Sequence, residues 1–141
     1  MEGVEGSFHA EFHRIQQALR KSLFKKVDYA GSCGELLQLG ASLSREGSTP
    51  HAALCLMAAA HCQRALESPA VVAHHDTQAG KLLWREELRL ADINDSAFQE
   101  LVPDATSCYL SAINIHLEQE HWSLAGALYT EMADFLWTLG T

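Results

Sequence analysis

Apolar residues return every three or four positions along most of this chain, which is the spacing of one face of an α-helix. Near the start, one such stripe contains Phe8, Phe12, Ile15, Leu19 and Leu23. The stripe predicts a first helix over about residues 6–27, ending in Lys25 and Lys26, whose charges suit the negative end of a helix dipole. No segment has the two-residue alternation or the turn residues of a strand, so the pattern predicts an all-α protein.

Caps and helix breakers divide the rest of the chain into five further predicted helices. Thr49 followed by Pro50 predicts the start of the third helix, and Ser68 followed by Pro69 repeats this signature for the fourth. Asp104 is the predicted cap of the fifth. These five helices are predicted at about 34–46, 49–67, 69–91, 105–119 and 121–139, with Gly140 ending the last. The segment "DINDSAFQELVP" is predicted to be a loop with room for one short helical turn.

The second and third predicted helices resemble the fifth and sixth, which indicates an internal repeat. At an offset of 73 residues the matched pairs are Ala52 with Ala125, Cys55 with Leu128, Leu56 with Tyr129, Ala60 with Ala133, Cys62 with Phe135 and Leu66 with Leu139. The offset equals about two tetratricopeptide repeats of ~34 residues. The repeat therefore predicts antiparallel helical hairpins stacked as a tetratricopeptide-like solenoid, in a single α-helical repeat domain over residues 1–141.

The sixth predicted helix is apolar on two opposite sides. One side contains Leu124, Leu128, Met132, Phe135 and Leu139, and the other contains Gly126, Ala133 and Trp137. A helix with two apolar sides is expected to lie between two neighbours, as in stacked helical hairpins.

The stretch "STPHAALCLMAAAHCQRALE" combines two histidines with two cysteines and raises the question of a metal site. His51, Cys55 and Cys62 share one side of a helix. Cys55 and Cys62 are nevertheless about 10 Å apart along the axis at ~1.5 Å per residue, whereas zinc ligands lie at about 2.0–2.3 Å. The stretch is therefore predicted to pack in the core, with a redox-sensitive thiol as the alternative.

Other histidine patterns are similarly weak. The motif "HAEFH" spaces His9 and His13 as zinc proteases do, but its Glu11 stands one position too late. It also lacks the P-C-x-x-C partner of zinc deaminases. Both histidines are predicted to be solvated.

His74, His75 and Asp76 are adjacent, so neighbouring side chains point about 100° apart, and a polar, solvated segment is predicted there. His116 is predicted to be a core residue with its polar atoms satisfied. Phosphate-binding loops, dinucleotide-binding motifs and nucleophile elbows are absent from the sequence. We therefore expect no enzyme activity, with no catalytic, cofactor-binding or metal-binding residues.

Composition narrows the choice of partners. Of 141 residues 48% are apolar, enough for a core without disulfides or metal. The net charge of −8 argues against nucleic-acid binding.

The chain contains one basic run, Arg20, Lys21, Lys25 and Lys26. This run is predicted to be a solvated helix face, and the alternative is that it contacts acidic lipid headgroups or an acidic partner. No apolar run is long enough to cross a membrane, and the cysteines are expected to be reduced in the cytosol.

The candidate partner contacts are Arg85, Arg89 and Trp122, since arginine and tryptophan make strong contacts at protein interfaces. Trp84 carries the same side chain as Trp122 but is predicted by default to lie in the core.

Four segments in order carry a resemblance to a known family: "LRKSLFKK", "GELLQLGASL", "PHAALCLMAAAHCQRAL" and "AINIHLEQEHWSLAGAL". They resemble the family of the 40-kDa huntingtin-associated protein, also known as the factor VIII intron 22 protein. The resemblance runs from about Glu11 to the last residue. It rests on helix-core residues and not on a catalytic signature.

The resemblance implies an all-helical scaffold, similar to the soluble attachment proteins of vesicle fusion, that binds huntingtin and links it to Rab5 on early endosomes. It implies a cytoplasmic location, with early endosomes and the nucleus as further sites. Family members continue with further helices, so this chain resembles an N-terminal portion, and its last helix is expected to show an apolar face. The alternative is a tetratricopeptide-type vesicle-fusion or peptide-binding adaptor unrelated to huntingtin.

Overall fold

A computed structural model of the protein describes residues 2–20, 27–66, 68–93 and 100–140, with side chains from residue 6 onward. All regular structure in these ranges is helical, as predicted. The helices are α1 (Glu2–Ala18), α2 (Tyr29–Arg45), α3 (Thr49–Ala65), α4 (Pro69–Ile93), α5 (Val102–Glu118) and α6 (Trp122–Leu139).

Short-range signals place several helix ends correctly. Pro50 lies in the first turn of α3, and Gly140 ends α6 in the left-handed conformation at φ 79°. The N-cap of α3 is Ser48, however, and not the predicted Thr49. The start of α2 at Tyr29 is earlier than predicted, because the carboxylate of Asp28 accepts a hydrogen bond from the backbone N–H of Gly31 at 2.9 Å.

The predicted start of the fifth helix and the predicted end of the first helix are both wrong. The fifth helix begins at Val102, so Asp104 lies in its first turn and is not its N-cap. The backbone N–H of Leu101 instead donates to Oε1 of Glu87 at 2.7 Å, so a buried carboxylate from α4 accepts a hydrogen bond at this helix start.

The first helix ends at Ala18, well before the predicted residue 27. Leu23, Lys25 and Lys26 of the predicted first helix lie outside the described residues, as do residues 94–99 of the predicted loop "DINDSAFQELVP".

Each helix packs on the next one along the chain, and α4 also touches α6. The position of α4 between α3 and α5 makes it the centre of the fold. Trp84 of α4 is fully buried, as predicted by default, with its ring stacked on Phe135 at 5.5 Å and edge-on to Tyr109 at 6.2 Å. Two smaller clusters fill the α1–α2–α3 end, one around Leu36 and Cys62 and the other around Phe8 and Cys55.

Candidate partner-binding surfaces

The side of α6 that faces away from α5 is apolar and open. Its residues are Trp122, Gly126, Tyr129, Thr130, Ala133 and Trp137, which we name the outer α6 face. Trp137 is 86% exposed, Trp122 62% and Tyr129 46%. Three large aromatic side chains exposed on one helix face form the kind of patch that marks an interaction surface.

The opposite side of α6 is the one that packs. Ala125 and Leu128 are buried there, and Phe135 stacks on Trp84. Among the described residues one apolar side of this helix is covered and the other faces solvent. The expectation that both sides would be sandwiched is therefore wrong, and the expectation that the last helix shows an apolar face agrees with the structure. Leu124, predicted to lie in the packed arc, is 52% exposed because it sits in the first turn, beyond the buried part of the interface.

A groove of about 660 Å³ forms a second candidate surface, between α3 and α5. Its lining residues are Arg64, Pro103, Thr106, Ser107, Leu110, Ser111, Asn114, Ile115 and Glu118. A smaller hollow of about 180 Å³ adjoins it, lined by Arg64, Val72 and Ile115 among others. The walls of the larger groove are mixed apolar and polar, and Arg64 and Glu118 add one charge of each sign.

Asp76 lies beneath this groove and joins three helices. Its Oδ2 accepts hydrogen bonds from Nη2 of Arg64 at 3.0 Å and from the hydroxyl of Ser111 at 2.6 Å, and Arg64 also bonds to Ser111. Burial raises the pKa of Asp76, against the opposing effects of the Ser111 hydrogen bond and the Arg64 charge. No imidazole stands between Ser111 and Asp76, so the cluster lacks the order of a Ser-His-Asp triad and ties α3, α4 and α5 together.

The prediction of a solvated segment at His74, His75 and Asp76 is wrong for two of its three residues. His75 and Asp76 are buried because α4 packs on both α3 and α5, and only His74 is exposed. Nε2 of His75 has no hydrogen-bond partner among the described residues. Burial lowers the pKa of His75, and the neighbouring His74 adds to the effect.

The three predicted partner contacts, Arg85, Arg89 and Trp122, are all exposed. Arg85 and Arg89 lie one turn apart on α4, and Arg89 donates from Nε to Glu86 at 3.0 Å. Trp122 belongs to the outer α6 face. Sequence reasoning passed over Trp137 as a contact, although its place in the second apolar strip was the available signal, and over Arg64, whose role depends on distant residues.

The cysteines and remaining histidines behave as packing or surface groups. All four thiols are free and buried, and burial raises the pKa of Cys55 to about 11 and that of Cys108 to about 12. Such thiols resist ionisation, which supports the packing interpretation of the cysteine-bearing helix over the redox alternative. His9 and His13 are exposed, as predicted.

His116 is half-buried, and its Nδ1 has no hydrogen-bond partner within the described ranges. The prediction that its polar atoms are satisfied is therefore wrong for Nδ1. Burial, followed by the nearby His121, lowers the pKa of His116.

Two further features concern metals and membranes. In the described part of the chain, no three His, Cys, Asp or Glu side chains gather closely enough to hold a metal ion. None of the helices described there has the length and apolar character needed to cross a bilayer. Of the predicted basic run, Arg20 is exposed, and Lys21, Lys25 and Lys26 are outside the described residues.

Comparison with known proteins gives one consistent result. No protein-family model matches the chain. The 40-kDa huntingtin-associated proteins of Rattus norvegicus and Mus musculus are each 31% identical to it over 139 residues. This chain is similar to the 40-kDa huntingtin-associated proteins. The resemblance found in the sequence is thereby confirmed.

The match to the 40-kDa huntingtin-associated proteins is unequal in coverage. It includes 96% of this chain but 36% of each relative, so the chain spans about a third of the length of the curated relatives it matches. This coverage is consistent with the predicted correspondence to a portion of those proteins.

Proposed function

We propose that the chain is a non-catalytic protein-interaction scaffold that binds huntingtin. The observation that carries the proposal is the 31% identity to proteins named for association with huntingtin, which extends over 96% of the chain. The outer α6 face supports the general role, since exposed tryptophan and tyrosine side chains are enriched at the energetic centres of protein interfaces. A tetratricopeptide-like solenoid of stacked hairpins is the architecture we propose for this scaffold.

A finer part of the proposal is that the scaffold links huntingtin to Rab5 on early endosomes. It follows from the family resemblance of the four sequence segments. A test is binding of the purified chain to Rab5 loaded with GTP or with GDP, each with and without huntingtin present. An adaptor role requires a ternary complex that depends on the GTP form. If Rab5 binds the chain in none of these mixtures, the proposed link to Rab5 is wrong, and the proposed scaffold role is unaffected.

The central experiment is co-purification of the full 141-residue chain with full-length huntingtin, followed by size-exclusion chromatography. We expect a single co-eluting peak. A longer relative from rat or mouse serves as the positive control for the huntingtin preparation. If the relative co-elutes and this chain does not, huntingtin binding by this chain is wrong.

A second candidate function is a peptide-binding adaptor of the tetratricopeptide type, including a vesicle-fusion adaptor. The observation that favours it is the groove of about 660 Å³ between α3 and α5. Screening the chain against an array of short peptides would test it, with Leu110→Arg as the groove variant, because Leu110 is an exposed lining residue. A dominant motif lost in this variant would support peptide binding over a large flat interface.

A further inference from the structure

The groove between α3 and α5 has a guanidinium on one wall whose position is fixed from below. Nη2 of Arg64 donates to the buried carboxylate of Asp76 at 3.0 Å and also bonds to the hydroxyl of Ser111. Neither Nε nor Nη1 of Arg64 makes a hydrogen bond to the residues that the structure describes. The side chain is 46% exposed and lines the groove. Arg64 can therefore offer its second edge to a carboxylate in the groove and keep the contacts that hold it.

The groove runs along α5, and the rise of this helix gives the spacing of its polar groups. Ser111, which bonds to Arg64, lines the middle of the groove, and Glu118 lines it seven residues later. At ~1.5 Å per residue these two positions on α5 are about 10 Å apart along the axis. An extended peptide advances ~3.3 Å per residue, so about three of its residues cover this distance.

Arg64 and Glu118 also stand on opposite walls of the groove, since the first belongs to α3 and the second to α5. Successive side chains of an extended peptide point to opposite sides, so side chains three positions apart face opposite walls. An acidic side chain directed at Arg64 and a basic side chain directed at Glu118 therefore fit at a spacing of three. Spacings of two and four would direct both side chains to the same wall.

The smaller hollow lies between these two charges. The helices α4 and α5 are antiparallel, since later residues of α4 contact earlier residues of α5. Val72, one turn before Asp76, is therefore level with Ile115, one turn after Ser111, and both line the hollow of about 180 Å³ together with Arg64. This level is about 6 Å from Ser111 along α5, or two residues of an extended peptide. The hollow can take one apolar side chain that points to the same wall as the acidic one.

We propose that the groove binds an extended segment of a partner protein in which an acidic residue is followed, in either chain direction, by an apolar residue two positions away and a basic residue three positions away. The acidic side chain pairs with Arg64, the apolar one fills the smaller hollow, and the basic one pairs with Glu118. A segment of mixed charge is the complementary occupant, because the groove carries one charge of each sign. This inference rests on the second candidate function, a peptide-binding adaptor, and names the chemistry of its peptide.

Four labelled peptides with blocked ends test the proposal with the full 141-residue chain by fluorescence polarisation. Two contain glutamate and lysine three positions apart, with leucine two positions from the glutamate, one peptide for each chain direction. The other two have the same composition, with the lysine moved one position further out. One of the first two should bind at least about fivefold more tightly than its counterpart, whose lysine faces the wrong wall. Its affinity should fall as salt is raised, because exposed charges are screened.

Three variants locate the site. Glu118→Lys should weaken binding of the preferred peptide at least about fivefold and strengthen binding of the same peptide with glutamate in place of lysine. Asp134→Lys is the matched control, since it makes the same charge change at an exposed residue outside the groove lining, and it should leave both affinities unchanged. Arg64→Lys should also weaken binding, because an ammonium group lacks the planar fork that pairs with a carboxylate. Circular dichroism checks that all three variants fold.

Equal binding of the four peptides, or unchanged binding by E118K, would overturn the proposal. So would a dimer in sedimentation that Leu110→Arg dissociates, which would make a second copy of the chain the occupant of the groove. If a different peptide motif binds and Leu110→Arg abolishes its binding, the peptide-binding function is supported and this inference is wrong. If no peptide binds, both are wrong.

Discussion

Gly80 of α4 lies directly against α5, and a Cβ atom there would collide with the ring of Tyr109 and come within 3.3 Å of the carbonyl oxygen of Ala105. Gly80→Ala should therefore lower the free energy of unfolding by about 1–3 kcal/mol, because neither the buried ring nor the backbone can move aside freely. Urea denaturation followed by circular dichroism measures the change.

The matched control for this substitution is Gly34→Ala. Gly34 is an exposed helical position where a Cβ atom would meet nothing within 4 Å. Here the same change should raise the free energy of unfolding by about 0.5–1 kcal/mol, since alanine favours the helix over glycine. Effects of the same sign at both sites would contradict the packing described for α4 and α5.

Another consequence at the residue scale concerns pH and His75. Burial holds the pKa of His75 in the folded protein below the ordinary 6.5. Just below pH 6.5 the histidine is therefore protonated in the unfolded chain but remains neutral in the folded protein. Stability from this group is complete above about pH 6.5 and is lost as pH falls toward the lowered value. The free energy of unfolding should therefore decrease from pH 7 to pH 5, by up to about 1.4 kcal/mol per pH unit for one proton.

His75→Gln should flatten this pH profile, measured by urea denaturation at intervals of pH. Its control is His61→Gln, which removes an exposed histidine of the neighbouring α3. His116 changes stability in the same direction as His75, so some slope should remain in the variant. Identical profiles for His75→Gln and the unaltered protein would show that His75 is not the responsible group.

At the scale of elements, Asp76 makes the packing of three helices depend on one carboxylate. Arg64→Ala would leave Asp76 buried with only Ser111 as a hydrogen-bond donor. We expect a loss of about 1–3 kcal/mol in the free energy of unfolding. The loss should not be larger, because the Arg64 side chain is 46% exposed and water already screens part of its interaction with Asp76. Asp76→Asn in the same background should recover part of the loss, since it removes the unpaired charge.

The comparison variant is Arg14→Ala, which removes an exposed arginine paired with Glu11 and Glu35. Exposed ion pairs contribute little, so this variant should remain close to the unaltered protein. A loss as large as that of Arg64→Ala would mean that burial of the acidic partner is not the deciding factor.

Sequence reasoning succeeded where a short stretch of chain decides the outcome. Pro50 and Gly140 act within one helical turn, and the helical period of the apolar residues identified six elements. It failed at Asp104, because Glu87 of another helix serves the start of α5. It failed at His75 and Asp76 for the same reason. Whether a polar residue is solvated depends on which helices meet there, and their partners stand far along the chain.

At the scale of the whole molecule, the protection of backbone amides against hydrogen exchange should decrease from α4 toward α6. Since α4 packs on α3 and α5, its amides should exchange with deuterium most slowly, whereas α6 is covered on one side and should exchange faster. Mass spectrometry of exchanged and digested protein gives the rates by segment. Equal protection of α4 and α6 would indicate a single cooperative unit in which the uncovered face of α6 has no effect on local stability.

The three tryptophans occupy very different depths, with Trp84 fully buried and Trp122 and Trp137 largely in water. The intrinsic fluorescence of the native protein should therefore contain a blue component that iodide does not quench and a red component that it does. A molecule bound to the outer α6 face would protect only the longer-wavelength emission from iodide, whereas unfolding would shift the emission of all three tryptophans. The protein thus carries a label-free optical signal that separates occupation of its outer surface from loss of its interior.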